Sequence, residues 1–360
     1  MALSEVRVGV VGTGGFANQA HLPGYDAHPK AKIVGVCDIV PERAKAAGEK
    51  FGADIVTGDY NELIGRDDID AIDVVTPNNV HVPVALAAVK AGKHVMCEKP
   101  LAMSFSEARE LIDAATAAGV KTGVNFTYRG HPASRYAKEL VASGKLGKLF
   151  HITAFYMQGW LVSPKTPIVW RLQKEATGTG VLGDLASHIV DLAMWYAGAN
   201  ISSVVGDMHT FLDERPLLDG SGTGKVDVDD GSTFLTRFDN GIMGTFVSSR
   251  NGTARGNYQR IEVYGEKGAL VYSWEDKDNL EVSVGEDAQR YRWSKIPVPD
   301  SFAPRDGTLG WTENVSNFID AIVEDKEMVP SFKDGIANQE VLDAVAISAE
   351  KGSWVSLPLD

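Results

Sequence analysis

An α/β protein of two domains is expected: a doubly wound parallel sheet first, then an α+β domain with a large, mainly antiparallel open sheet. Three observations carry this. The first third of the chain alternates short, nearly continuous apolar runs with helical patterns, which means a parallel sheet covered on both faces. A glycine-rich turn, Gly12-Thr13-Gly14-Gly15-Phe16-Ala17, follows the first apolar run. After residue 126 the alternation gives way to period-two runs and hairpin turns. The domains are therefore placed at 1–126 and 127–360, and 360 residues suit two cores.

The first domain reads element by element. Apolar runs at 6–11, 31–38, 71–77, 94–100 and 121–126 are strands. Pro41 suits the first turn of a helix over 41–51, where its missing N–H costs nothing. A helix over about 80–91 stops at Gly92. Ser104-Phe105-Ser106-Glu107 is a capping box opening the next helix, with Gly119 as its stop.

In the second domain a helix at 134–144 leads to an alternating run, 149–158, and a further helix covers 183–197. Asp239-Asn240-Gly241 joins two strand patterns as a hairpin turn. "QRIEVYG", "GALVYSW" and "NLEVSVG" continue the strands, and helices at 312–324 and 335–351 close the chain. The Asp- and Gly-rich stretch 213–231 lacks calcium-loop spacing and reads as a mobile hairpin loop.

Composition excludes several classes. A net charge of −13 argues against nucleic acid or an anionic membrane surface as partner. Cys37 and Cys97 fall in predicted buried strands, as free thiols of a reducing compartment. The N-terminus lacks a signal-peptide pattern and no apolar run reaches spanning length, so a cytoplasmic protein is expected.

The glycine turn fits G-x-G-x-x-A, the Rossmann dinucleotide pattern, and its context supports that reading. Gly12 permits the tight turn, Gly14 lets backbone approach a pyrophosphate, and Ala17 allows close helix–strand packing. The helix start offers N–H groups to phosphates. Asp38 ends the second strand, where a carboxylate grips the ribose 2′-hydroxyl and repels a 2′-phosphate. Ile39 and Val40 supply no cation, so NAD is favoured over NADP.

Ligands of such sheets lie beyond the carboxyl ends of the strands. "VMCEKP" (95–100) ends there, so Lys99 faces the cofactor crevice. Beside a nicotinamide cation, partly desolvated, its pKa should fall, suiting acid/base work. Asp184 and His188 lie four apart on a predicted helix and share a face, with Asp191 seven beyond Asp184. Glycines 178, 180 and 183 leave room for a ligand there. Alone, the pair fits a surface contact, an N-terminal cap or metal ligation. Without a further ligand cluster no metal is expected, and beside a strand-tip lysine the reading adopted is catalysis.

With "GTGGFA", "TPNNVH", "AGKHVMCEKP", "NFTYR", "WRL" and "GDLASH" in one chain, the sequence resembles the glucose–fructose oxidoreductase / inositol dehydrogenase / MocA family nearly throughout. The resemblance implies that Lys99, Asp184 and His188 are catalytic. It puts Glu98 on the nicotinamide ribose and lines the cofactor with Gly15, Phe16, Thr76, Pro77, Asn78 and His81; His81 reads equally as a packing histidine. It assigns Asn125, Trp170 and Arg171 to the cofactor, and Tyr128 and Arg129 to the segment after the last Rossmann strand, facing substrate. The stretch 158–184 looks most like members that oxidise pyranoses, of the levoglucosan dehydrogenase type, or inositols. Thr179, in a stretch often all glycine, departs from the pattern.

The reaction so implied is NAD-dependent oxidation of a ring secondary hydroxyl, at C3, of a neutral sugar or cyclic polyol, reversibly to a ketone. Gln158, Trp160, Tyr128 and Arg171 are the expected sugar contacts. An NAD-dependent glycosidase and a non-catalytic NAD-binding regulator are rivals within the family. Strands with one apolar face, and the resemblance, imply a homo-oligomer, a tetramer before a dimer.

Overall fold

The computed structural model describes residues 4–305, 307 and 309–359. The chain forms two compact units, each drawn from two stretches: Met1–His131 with Pro304–Ile336, and Pro132–Ala303 with Ala337–Asp360.

In the first unit, strands β1 (Val6–Val11), β2 (Ala31–Cys37), β3 (Ile55–Thr57), β4 (Ala71–Val74), β5 (His94–Cys97) and β6 (Thr122–Val124) form one sheet in the order β3-β2-β1-β4-β5-β6. Every pairing is parallel. β3 and the short helix Tyr60–Ile64 went unread in the sequence, being too brief for a periodicity. The capping box forms on one side as expected: Ser104 Oγ accepts from Glu107 N. Its return bond runs from Met103 N to Glu107 Oε2, one residue before the cap.

The first stretch of this unit ends at His131, near the expected boundary, but a later segment, Pro304–Ile336, crosses back to the same unit. One sheet face is covered by the helices Asn78–Lys90 and Phe105–Ala118. On the other, Val6, Val8, Val10, Ile33, Val36 and Met96 are sealed by Val315, Phe318 and Ile319 of the helix Glu313–Val323. The early elements contribute Ala17, Leu22, Tyr25 and Ala47 to this face, and Val315, Phe318 and Ile319 of the later segment add larger apolar cover. Burying each of these three side chains contributes roughly 1.5–3 kcal/mol.

In the second unit, β7 (Leu149–Met157), β8 (Ile201–His209), β11 (Gly231–Phe238), β12 (Met243–Ser249), β13 (Tyr258–Gly265), β14 (Gly268–Ser273), β15 (Asn279–Val284), β16 (Ser294–Pro297) and β17 (Val355–Ser356) build a sheet ordered β16-β15-β14-β13-β7-β12-β11-β8-β17. Only β7 and β12 pair in parallel. Ile152, Ala154 and Tyr156 of β7, with Phe234, Phe246, Ile261 and Val263, are buried on one face, where the helix Ser187–Ala197 packs.

The stretch 213–231 contains the hairpin expected, but it is anchored by a buried side chain instead of standing free. Its strands are β9 (Glu214–Pro216) and β10 (Thr223–Lys225). Arg215 is fully buried and donates to Leu161 O at 2.7 Å and Ser163 O at 3.0 Å. Val226 and Val228 join Leu161, Ile168 and Leu172 in a small separate core.

Candidate active site

The cofactor half-site lies in the first unit. Gly12 has φ 94°, and a Cβ there would stand 2.2 Å from Val75 O, so only glycine fits. At Gly14 and Gly15 a Cβ would meet nothing within 4 Å. The backbone there is open, the space a pyrophosphate needs, and the residues present fit a dinucleotide. Ala17 is fully buried against the sheet, and Phe16 sits edge-on to His21. Asp38 Oδ2 accepts from Thr13 N at 2.9 Å and Thr13 Oγ1 at 3.1 Å, and Oδ1 accepts from Val40 N. These bonds hold the carboxylate at the end of β2. Ile39 beside it is 90% exposed, an apolar surface suited to a nucleobase and absent from the sequence reading.

Beyond β4 and β5 lie Thr76, Pro77 and Asn78, half-buried to exposed, and half-buried Lys99. His81 belongs to the framework and not to the lining. It is buried, with its ring nitrogens 2.8 Å from Pro100 O and 2.9 Å from Thr76 O. Burial outweighs these carbonyls and lowers its pKa. It clasps the two strand-tip loops together.

Asn125 also departs from its expected cofactor role: it is fully buried and donates to Glu98 Oε1 at 2.7 Å. Glu98 Oε2 accepts from Lys99 N at 3.2 Å. Arg129, expected near substrate, is buried in an ion pair with Asp334 at 2.9 Å. Tyr128 is buried against Trp311, ring centroids 6.0 Å apart. Asp334 and Trp311 come from the crossing segment, so the first stretch of sequence alone held no signal for them.

In the second unit, residues Leu182–Ala186 form a π turn before the helix Ser187–Ala197. The expected single α-helix over 183–197 is thus interrupted where Asp184 sits, a common feature of functional helices. Gly180 is needed for packing rather than for ligand room: a Cβ would lie 2.0 Å from Asp229 O. Asp229 accepts from Gly180 N at 2.6 Å and Leu182 N at 2.8 Å, fastening the turn. Burial raises its pKa despite these bonds. Asp191 is buried in the helix interior.

Asp184 Oδ2 accepts from Arg250 Nη2 at 2.8 Å. Arg250 is fully buried, also donates to Arg171 O at 3.2 Å, and stands 5.7 Å over the Trp160 ring. Sequence reading missed it, because one arginine after a strand carries no pattern. Arg171 stacks on Trp170 at 4.4 Å, with Nε 3.9 Å from Asp184 Oδ2. His188 is buried beside Tyr156, ring centroids 6.0 Å apart. Trp160 Nε1 donates to Gln158 Oε1 at 3.0 Å, and Gln158 Nε2 and Tyr156 OH both donate to Asn257 Oδ1, at 2.9 and 2.8 Å. Two tryptophans, an amide pair, a carboxylate and an imidazole gather here, the functional groups that bind a polyhydroxylated ring and take its proton. Among the described residues no helix is long and apolar enough to cross a membrane, and no group of three or more acidic, His or Cys side chains is placed to hold a metal.

Two family models match consecutive parts of the chain. Residues 6–126 match the oxidoreductase family model with an NAD-binding Rossmann fold, and residues 134–271 match the C-terminal domain of the same Gfo/Idh/MocA family. The chain is similar to levoglucosan dehydrogenase of Pseudarthrobacter phenanthrenivorans, 34% identical over 99% of each chain. It is similar to D-glucoside 3-dehydrogenase of Escherichia coli, 33% identical over 55% of this chain and 56% of the other. Among solved structures, levoglucosan dehydrogenase in complex with NADH and levoglucosan superposes with a TM-score of 0.92 at 33% identity, covering 99% of this chain and 100% of that one.

Proposed function

Because the chain belongs to the Gfo/Idh/MocA family of NAD-binding oxidoreductases, we propose that it oxidises a ring secondary hydroxyl of a neutral pyranose to a ketone, at C3, reversibly. The observation that carries this is the full-length likeness to levoglucosan dehydrogenase. The likeness to a glucoside 3-dehydrogenase supports the choice of carbon.

The glycine loop and Asp38 would hold NAD, which when bound accepts a hydride at nicotinamide C4. Lys99 and His188 would carry the hydroxyl proton away, and Asp184, held by Arg250, would orient the imidazole and the sugar. Thr76, Pro77, Asn78, Glu98, Trp170 and Arg171 remain proposed cofactor neighbours. Gln158, Trp160 and Arg171 are proposed to meet the sugar, a tryptophan face suiting the apolar side of a pyranose. Arg129 pairs with Asp334, and Arg250 and Arg171 both lie beside the Asp184 carboxylate, whose charge would repel a phosphate and favours a neutral substrate. A ring ketone, unlike a lactone, is not lost to hydrolysis and can be reduced again.

We assign the protein to the cytoplasm, on its two buried free thiols, and to a homo-oligomer, a tetramer before a dimer. The test of the chemistry is to incubate enzyme and NAD with a panel of sugars and inositols, then identify the product of the best substrate by carbon NMR. A 3-keto sugar is expected. A lactone, or a strong preference for a sugar phosphate, would contradict the reading; an inosose as main product would move the protein to the inositol dehydrogenases.

A further inference from the structure

Beneath the strand tip bearing Lys99 lies a charged chain that the chemistry above does not use. His21 comes from the π turn Ala17–His21 after the glycine loop, Asp73 from β4 and Glu98 from the end of β5. The His21 and Asp73 side chains are 0% exposed and that of Glu98 12%. His21 Nδ1 stands 2.7 Å from Asp73 Oδ2 and Nε2 2.8 Å from Glu98 Oε1.

Burial opposes a charge on His21, but the two carboxylates outweigh it and raise its pKa to about 10. The flanking carboxylates thus favour the imidazolium, which would donate to one carboxylate from each nitrogen; Asn125 Nδ2 also lies 3.0 Å from Nε2. Burial likewise opposes the Glu98 charge, and the His21 bond leads the contacts that instead hold its pKa down. Asn125 Nδ2 donates to the same Oε1, at 2.7 Å. The orientation of that amide is itself fixed, because Asn314 Nδ2 donates to Asn125 Oδ1 at 3.2 Å and Phe126 O at 2.9 Å.

For stability alone this is a poor arrangement. Buried ion triads are commonly matched or bettered by apolar side chains of similar volume. The bonds converge on one carboxylate, and that carboxylate abuts Lys99: Oε1 is set by His21 and Asn125, Oε2 by the Lys99 amide.

We propose that Asp73–His21–Glu98 is a positioning chain: His21, anchored by Asp73, fixes the Glu98 carboxylate and, through it, the backbone at Lys99. His21 thereby supports cofactor binding and turnover while touching neither cofactor nor substrate. This rests on the reading of the Lys99 strand tip given above.

The test is a double-mutant cycle read by NADH fluorescence titration without substrate, by kcat and by Tm. The set is the wild type, the single variants His21→Gln, Asp73→Asn and Glu98→Gln, and the double variants that combine His21→Gln or Asp73→Asn with Glu98→Gln. His21→Gln and Asp73→Asn should each weaken NADH binding and lower kcat about tenfold, and neither should add to the loss in the Glu98→Gln background, since their route is gone. Should His21→Gln fail to fold, Asp73→Asn, which keeps the volume and the imidazole, decides by the same cycle. Lowered Tm with NADH affinity and kcat within twofold of wild type would overturn the inference, as would losses that multiply with Glu98→Gln. A wild type that binds no NADH would overturn the cofactor reading and this inference with it; normal wild-type binding with unmoved variants sinks the inference alone.

Discussion

Charged residues in the core show where this protein has committed stability to geometry. Arg250 is the clearest in the second unit, since it ties Asp184 to the backbone at Arg171 and lies over Trp160. Lysine cannot span both acceptors with one ammonium. Arg250→Lys is therefore expected to stay folded and to lose kcat by at least ~10-fold, more than it loses in substrate KM; steady-state kinetics beside a thermal melt decide it. Equal kcat in the variant would remove Arg250 from the account. The place of Lys99, before a proline just beyond a buried strand, was legible in the sequence. Arg250, Asp73 and Asn314 were not, because their partners are 66 (Asp184), 52 (His21) and 189 (Asn125) positions away and no local pattern encodes such pairings. Asn125 and Arg129 were drawn toward the ligand by motif, whereas their polar contacts are made inside the framework; for His81 the packing alternative already weighed in the sequence fits its two carbonyl contacts.

Elements that repeat a period were read correctly: the parallel strands other than the three-residue β3, the Asp-Asn-Gly hairpin and the helix opened by Ser104. Elements whose form depends on distant packing were not. The π turn at Leu182–Ala186 follows from Asp229 gripping Gly180 and Leu182, a contact spanning 49 and 47 residues. Gly180→Ala puts a methyl into a backbone carbonyl that cannot swing away. It is expected to destabilise the protein by about 2 kcal/mol, the usual scale of overpacking, and to lower kcat because the displaced turn carries Asp184. Chemical denaturation and kinetics on the same preparation check both effects; an unchanged midpoint would show that the turn relaxes freely.

For the whole molecule, the nine-stranded sheet buries one face and leaves the other with apolar side chains in reach of solvent. Leu235 is 46% and Met243 57% exposed, beside partly buried Phe155, Met157 and Val247. This apolar face is where the proposed homo-oligomer would associate. The particle mass should be a multiple of the 38.7 kDa chain, and Leu235→Glu should lower it. Light scattering at micromolar concentration that returned a monomer would refute the assembly. The return of Pro304–Ile336 to the first unit belongs to this scale as well. It is invisible to a boundary drawn from local periodicity, because only the incompletely covered sheet face calls for it.

The central claim is that the half-buried lysine just beyond β5 moves the proton of a dehydrogenase, and Lys99→Met tests it most directly. NADH titration and initial rates at neutral pH on wild type and variant are the measurement. The account predicts cofactor affinity within a few-fold of wild type and turnover lower by at least ~10²-fold, the scale of losing a general acid/base. Near-normal turnover in the variant would contradict it.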